Sequence, residues 1–490
     1  MRRRSNDSDP TALGSRPRIA IVGGGVAGAS AALHIDRLAP GKFELVVFEP
    51  RSEIGRGLAY SSRDPVHRTN VPAVRMRIFP GDPNHFDRWY ASSRDAALDT
   101  ASRAATGGVY PQRHAFGRYL SEQVRAIASP LAHIRENVFD IDLDASGFIL
   151  RCAPEHEIRA DIVILAVSGN GPNSRLYSKV SPGARQLVIW NPWDEAAFEH
   201  IDRGDNVLIV GSGLTMADIV ASLDNRGHFG KIVVVSRHGL RPQTQARSKV
   251  DLFGDFLLPP SCRARSLVAR IRETVTVAEK LGLTWHSVLD QVHDHGNQIW
   301  HFLSWQERKR LMRHAWPYWN RLRFRVAPQL AEILDRKISS GQLCMHAASV
   351  EHIGNDEQGV FHVRLRKRGG PTEQISADHV AIATGIVPGY LLGHDTLVKN
   401  LCGKGLARPD PIRVGLDIEL NGRAVDRLGN VQEKLFVVGT LTQGRFGDQV
   451  GAPDIASHAL RVAAEIVKGL PELHLSRCNP KRIERTDVAL

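Results

Sequence analysis

The chain lacks the cysteine pattern of a stapled or metal-knit fold. Its five cysteines, Cys152, Cys262, Cys344, Cys402 and Cys478, are odd in number, and no two form a C-x-x-C pair. That argues against a disulfide framework, a zinc ribbon and a dithiol reductase, and for a reducing, cytoplasmic setting. Long apolar runs are missing as well, since no stretch approaches the ~18 residues of a bilayer span. Arg2, Arg3 and Arg4 ahead of an apolar run from Ile19 have the outline of a leader peptide. The run is broken by glycines, however, and leads into a charged, strand-like segment without a small-residue cleavage pattern. Nor is the chain short of core-forming residues. At 490 residues, 42% hydrophobic and 24% charged, it reads as a globular protein of about three domains rather than a disordered or fibrous one.

Two glycine-rich turns carry the chemistry. Ile19–Val22 is a buried-type strand, followed by Gly23-Gly-Gly-Val-Ala-Gly28, an alanine-rich helical stretch to Leu38, and a second apolar strand that ends at Glu49. This is the β-α-β dinucleotide fingerprint. Gly23 permits the tight turn, Gly25 admits a pyrophosphate and Gly28 lets helix and strand pack closely. The helix N-terminus offers unpaired N–H groups to phosphate, and Glu49 is placed to accept from ribose hydroxyls. The pattern returns at Asn206–Val210, with Gly211-Ser212-Gly213-Leu-Thr215-Met216 and a second strand that ends at Ser236-Arg237. Met216 occupies the third glycine position. Arg237, with Arg241 close behind, replaces the acid, and a guanidinium suits a 2′-phosphate that a carboxylate would repel. The acidic site therefore reads as FAD and the basic site as NADPH.

The expected fold is α/β, with two Rossmann-like dinucleotide-binding domains and a mainly helical insertion. The strands Asp161–Ala166 and His379–Ala383 end in small-residue turns that suit a crossover between the domains. The expected boundaries are a disordered basic tail at 1–16, an FAD-binding domain at 17–195 and 389–470, an NAD(P)H-binding domain at 196–388 with the insertion at 250–338, and a tail at 471–490. Leu435–Gly439 and the glycine-rich stretch from Gly444 to Pro453 should close over the flavin.

Further motifs give a resemblance. Gly57-Leu-Ala-Tyr60, Asn70-Val-Pro-Ala73, His85-Phe86 with Trp89, Arg113-x-x-Phe-Gly-Arg-Tyr-Leu120 and Asn191-Pro-Trp-Asp194 are joined by Ser236-Arg-His-Gly-Leu240, Trp319-x-x-x-Arg323 with Ala327-Pro328, and Pro453-Asp-Ile455. Together they resemble bacterial FAD/NAD(P)-binding proteins related to class B flavoprotein monooxygenases, from about residue 17 to 470. Some of those relatives hydroxylate heterocycles such as urate, and the wider class oxygenates amines and carbonyl compounds. The resemblance implies an NADPH-consuming monooxygenase that works through a flavin C4a-hydroperoxide on a small molecule and O₂. It places Asn70, Arg75, Met76 and Arg113 at the flavin or substrate pocket. Gly439-Thr440 stands where such flavoproteins carry Gly-Asp, so Asp448 or backbone N–H groups would take that role. An NADPH-dependent flavin reductase and a flavin-binding redox sensor remain open, as does homo-oligomerisation.

The net charge of +12 is local. Residues 241–340 carry seventeen basic and nine acidic residues, while 19–240 and 341–470 balance together. The insertion also holds Trp285, Trp300, Trp305, Trp316 and Trp319. Basic residues among aromatics invite nucleic acid, but no such motif appears, so the expectation is a cap over an anionic substrate or the cofactor phosphates. His286, His293, His295 and His301 lack the Cys/His spacing of a tetrahedral site, so no metal is expected. No membrane partner is expected either.

Overall fold

The first sheet is built from both ends of the chain. In the computed structural model, which describes residues 16–153, 156–169, 174–247, 250–385, 387–448 and 450–470, its strands run Arg423–Val425, Val431–Val437, Ile162–Leu165, Arg18–Val22, Glu44–Phe48 and Leu131–Ile134 in spatial order. All are parallel except the hairpin edge Arg423–Val425. The central strands are buried along nearly their whole length, as apolar runs covered on both faces must be. The tails expected at 1–16 and 471–490 lie outside the described residues, apart from Arg16.

Helix Val26–Leu38 covers one face of that sheet and is buried at every residue from Ala27 to Asp36. Small side chains make this possible. Ala29, Ala31 and Ala32 share a core with Ala452, Ala456, Ala459 and Ala463 of helix Ala452–Lys468, so the two backbones approach closely. The opposite face packs under Phe148, Leu401, Leu416 and Phe446. A small antiparallel sheet, Asp140–Asp144, Gly147–Ala153 and His156–Ala160, adjoins it.

The second sheet has the order Thr372–Ala377, Phe361–Lys367, Leu343–Asn355, Ile232–Ser236, Val207–Val210 and His379–Ile382. Helix Leu214–Asn225 packs on it beside helix Pro328–Ser339, through Met216, Val220, Leu330 and Leu334. The remaining insertion helices, from Ala264–Lys280 to Trp316–Arg323, have their own core around Phe256, Leu267, Val288 and Leu303.

Two glycines show how tight the first turn is. Gly23 has φ +103, and a Cβ there would lie 2.6 Å from Ala166 O. A Cβ on Gly28 would lie 1.9 Å from Gly23 O. Gly28→Ala should therefore cost about 3 kcal/mol or more by overpacking. Gly213→Ala, where nothing lies within 4 Å, should be tolerated. Soluble yield and the chemical-denaturation midpoint check this, and equal behaviour of the two variants would contradict it.

Candidate active site

Both nucleotide turns end in helices that cap themselves with nothing. Gly25 precedes helix Val26–Leu38 and Gly213 precedes helix Leu214–Asn225; neither helix has a side-chain cap or an acidic residue in its first turn. Their first N–H groups and positive dipole ends are left for an anion, at the carboxyl ends of parallel strands. At the first turn, Gly57 faces Gly25, with a Cβ on Gly57 falling 3.2 Å from Gly25 Cα. Gly55 N–H donates to Gly24 O at 2.7 Å, which holds the second loop against the first. Glu49 is buried there, and its carboxylate accepts from Gly24 N–H and Arg51 N–H, each at 3.1 Å. The turn and its acid thus hold each other in place. This glycine-lined cradle fits a pyrophosphate.

At the second turn, Gly211 has φ +115 and a Cβ there would strike Ala383 O at 2.2 Å. The Ser212 hydroxyl donates to Leu240 O at 2.5 Å and lies 2.9 Å from Ser236 Oγ, which ties the turn to the loop after the second strand. Thr215 lies half-buried in the helix's first turn and Arg237 is exposed. Arg241 pairs with Asp335 at 2.6 Å. It lines a cleft of about 570 Å³ with Gly239, Arg321 and Met345.

The two sheets meet at a buried polar seam. Arg113, 7% exposed, pairs with Asp218 of helix Leu214–Asn225 at 2.9 Å and donates from Nε to Arg68 O at 2.9 Å. Burial pushes the Asp218 carboxyl up, and the Arg113 guanidinium opposes it. Beside them His67 bridges Ser62 Oγ and Ser222 Oγ at 2.7 and 2.9 Å, while the Ser222 hydroxyl donates to Asp64 at 2.6 Å. Asp218 lies two residues beyond Met216 of the second glycine motif, but nothing in that spacing names a partner about a hundred residues away.

The other residues expected at the pocket make separate contacts. Asn70 O accepts from Gln245 Nε2 at 2.6 Å. Arg75 reaches Asp290 of helix Trp285–Asp294 at 3.3 Å, and the same carboxylate pairs with Arg325 at 2.7 Å. Met76 is 2% exposed in the first domain's core.

The insertion is fastened to the C-terminal segment of the first domain. Trp300 Nε1 donates to Gly444 O at 3.0 Å, and its ring rests on Gly447, whose φ is +70. Trp319 Nε1 donates to Asp448 Oδ2 at 2.6 Å, and Arg323 lies 3.4 Å from the same oxygen and 3.6 Å from Asp454. Burial raises the Asp448 carboxyl to about 6 despite Arg323, and burial, then Arg323, drives neighbouring His293 down to about 3. Gly439 has φ +89, a Cβ on it would lie 3.0 Å from Ala27 Cβ, and Thr440 Oγ donates to Val167 O at 3.3 Å. His293 and Asp454 join this cluster only through folding, which brings their two helices together, and no local spacing announces it. Several of the cap's basic residues are committed: Arg308 donates to Trp300 O and Leu303 O, and Arg310 pairs with Glu307. The four histidines do not converge, for His286 bonds Thr244 O and His301 bonds Asn297 O.

Fold and site together define an α/β protein with two Rossmann-like dinucleotide-binding domains. Residues 20–170 match the family model described as FAD-NAD(P)-binding. No curated protein matches the chain in sequence. Among solved structures it is similar to the ornithine N-hydroxylase of Kutzneria sp. 744, at 15% identity over 92% of this chain and 99% of that one, with TM-score 0.60. The reduced ornithine hydroxylase of Pseudomonas aeruginosa matches at 16% identity over 94% and 99%, TM-score 0.61. The L-lysine 6-monooxygenase of Pseudomonas syringae matches at 18% over 92% and 99%, TM-score 0.60. At these identities the likeness is one of fold. No helix among the described residues is long and apolar enough to cross a membrane.

Breaking the seam has a stated cost. Arg113→Met leaves Asp218 buried and unpaired and should cost about 3–5 kcal/mol, whereas Arg113→Met with Asp218→Leu should recover most of it. Equilibrium denaturation checks this, and a double variant as weak as the single one would refute the electrostatic origin. Asp448 makes a pH prediction. Its folded-state value of about 6 exceeds the ordinary 3.8, so its neutral form is favoured on folding and its contribution is present below about 4 and lost as pH rises through 6. Relative to Asp448→Asn, the wild type should therefore lose stability between pH 4 and pH 7. Parallel pH profiles for the two proteins would contradict this.

Proposed function

We propose that the protein is an FAD- and NADPH-dependent monooxygenase that hydroxylates a small molecule. The observation that carries this is the pair of uncapped, glycine-lined helix N-termini on two sheets joined by the Arg113–Asp218 seam, with a tryptophan-bearing insertion tied to Gly444. The fold shared across almost the whole chain with ornithine and lysine hydroxylases supports it. Those neighbours are named for ornithine and L-lysine, and a small amine or heterocycle is the substrate class tested first.

In this reading Gly23, Gly25 and Gly28 form the FAD cradle and Glu49 faces the ribose. Gly211, Ser212, Gly213 and Thr215 receive the NADPH pyrophosphate, and Arg237 and Arg241 the 2′-phosphate. Bound together, the cofactors supply hydride transfer and oxygen activation, which no side chain provides. The chain's own part is positioning and exclusion of water. Arg113 is a positioning residue that fixes one domain against the other. Asn70 and Arg75 belong to the wall where the first domain meets Gln245 and Asp290, and Met76 supports that wall from the core. Trp300 and Trp319 hold the insertion down over the Gly439–Asp454 segment, which shields reactive species from water.

The test is NADPH oxidation by the FAD-loaded protein with L-ornithine, L-lysine, cadaverine and urate, under isotopically labelled dioxygen. One labelled oxygen in the product for each NADPH consumed is expected with one of these classes. NADPH oxidation that yields only hydrogen peroxide with all four, or no flavin reduction by NADPH, would overturn the reading.

A further inference from the structure

Beyond the end of the first sheet's edge strand Leu131–Ile134, three donors of different chemistry converge. Glu136 lies in the connection between strands Leu131–Ile134 and Asp140–Asp144, Cys152 near the end of strand Gly147–Ala153, and His156 at the start of strand His156–Ala160. Their carboxylate oxygen, sulfur and imidazole nitrogen all lie within 4.8 Å of one another. The hairpin produces this closeness: Ala153 stands opposite His156, and the register shifts between Arg151 and Ala153, at Cys152. Glu136 Oε2 and His156 Nδ1 are already 2.8 Å apart. Arg151, the strand's own cation, is committed to Asp140, Asp142 and Glu157. Cys152 has no disulfide partner, and all three residues are half-buried, which leaves an approach from solvent.

We propose that Glu136, Cys152 and His156 form a site for a borderline divalent cation, with zinc(II) as the reference ion and water as fourth ligand. Thiolate, imidazole and carboxylate are the donors that zinc takes in tetrahedral geometry. Metal–ligand bonds of about 2.0–2.3 Å place such donors roughly 3.3–3.6 Å apart, so modest side-chain movement closes the site. On binding, the S–H bond of Cys152 breaks, its proton passes to solvent and a sulfur–zinc bond forms; no electron is transferred. The ion would pin the Glu136 connection to the hairpin. It would play no part in the oxygenation chemistry, and the inference does not rest on that proposal.

The test uses the full chain with its FAD, equilibrated with zinc sulfate, desalted and assayed for metal. About one zinc per chain is expected in the wild type and a background level in Cys152→Ser and His156→Gln, with FAD content and circular dichroism unchanged. No retained zinc in the wild type, or equal retention in the variants, would overturn the proposal. Should the variants fold poorly, cobalt(II) added to the wild type decides. A thiolate-to-cobalt charge-transfer band with Cys152 protected from alkylation supports the site, and absence of the band refutes it.

Discussion

The buried Arg113–Asp218 pair is the constraint on which the arrangement depends. It joins a helix of the first nucleotide body to the helix whose own N-terminus forms the second nucleotide turn. A charge left alone at that depth is costly, so each partner enforces the presence of the other. The neighbouring chain of Ser62, His67, Ser222 and Asp64 is satisfied in the same way. The relative placement of two cofactor sites thus rests on hydrogen-bond geometry, which tolerates less sliding than apolar contact.

A second set of ties runs between the insertion and the end of the first domain. Trp300 on Gly444 and Gly447, and Trp319 with Arg323 on Asp448 and Asp454, convert an apparently basic, aromatic surface into an internal joint. Part of the insertion's charge excess is met by carboxylates outside it, for Arg323 lies against Asp448 and Asp454, and Arg336 and Lys337 pair with Asp224. It does not form an open anion surface over its whole extent. The exposed Arg237 and the cleft around Arg241 and Arg321 are the narrower places where a phosphate could find a guanidinium.

What the sequence disclosed and what it withheld follow from the range of the interactions. The two turns were legible because every requirement of a β-α-β unit is local: the strand, Gly23 to Gly28, the small helix residues and the acid lie within about thirty residues. The α/β fold class and the helical character of the insertion were legible for the same reason of short period. Arg113 and Asp218 are about a hundred residues apart, and no local motif of either announces that they pair. Asp448 shows the same limit, since its partner Trp319 belongs to a helix with no sequence signal for docking there. Glu136, Cys152 and His156 went unnoticed because a register shift in a hairpin brings them together, not a spaced motif.

The first sheet takes its outer strands, Arg423–Val425 and Val431–Val437, from near the C-terminus, and helix Ala452–Lys468 completes its core. During synthesis the second sheet, with all its strands between Val207 and Ile382, can assemble while the first still lacks a wall. The glycine turn that is translated earliest is therefore among the last to become a finished binding surface. A chain that stalls before residue 437 would leave the alanine face of helix Val26–Leu38 without its partner, and a ribosome-bound intermediate of that length is the stage at which a holding chaperone has the most to cover.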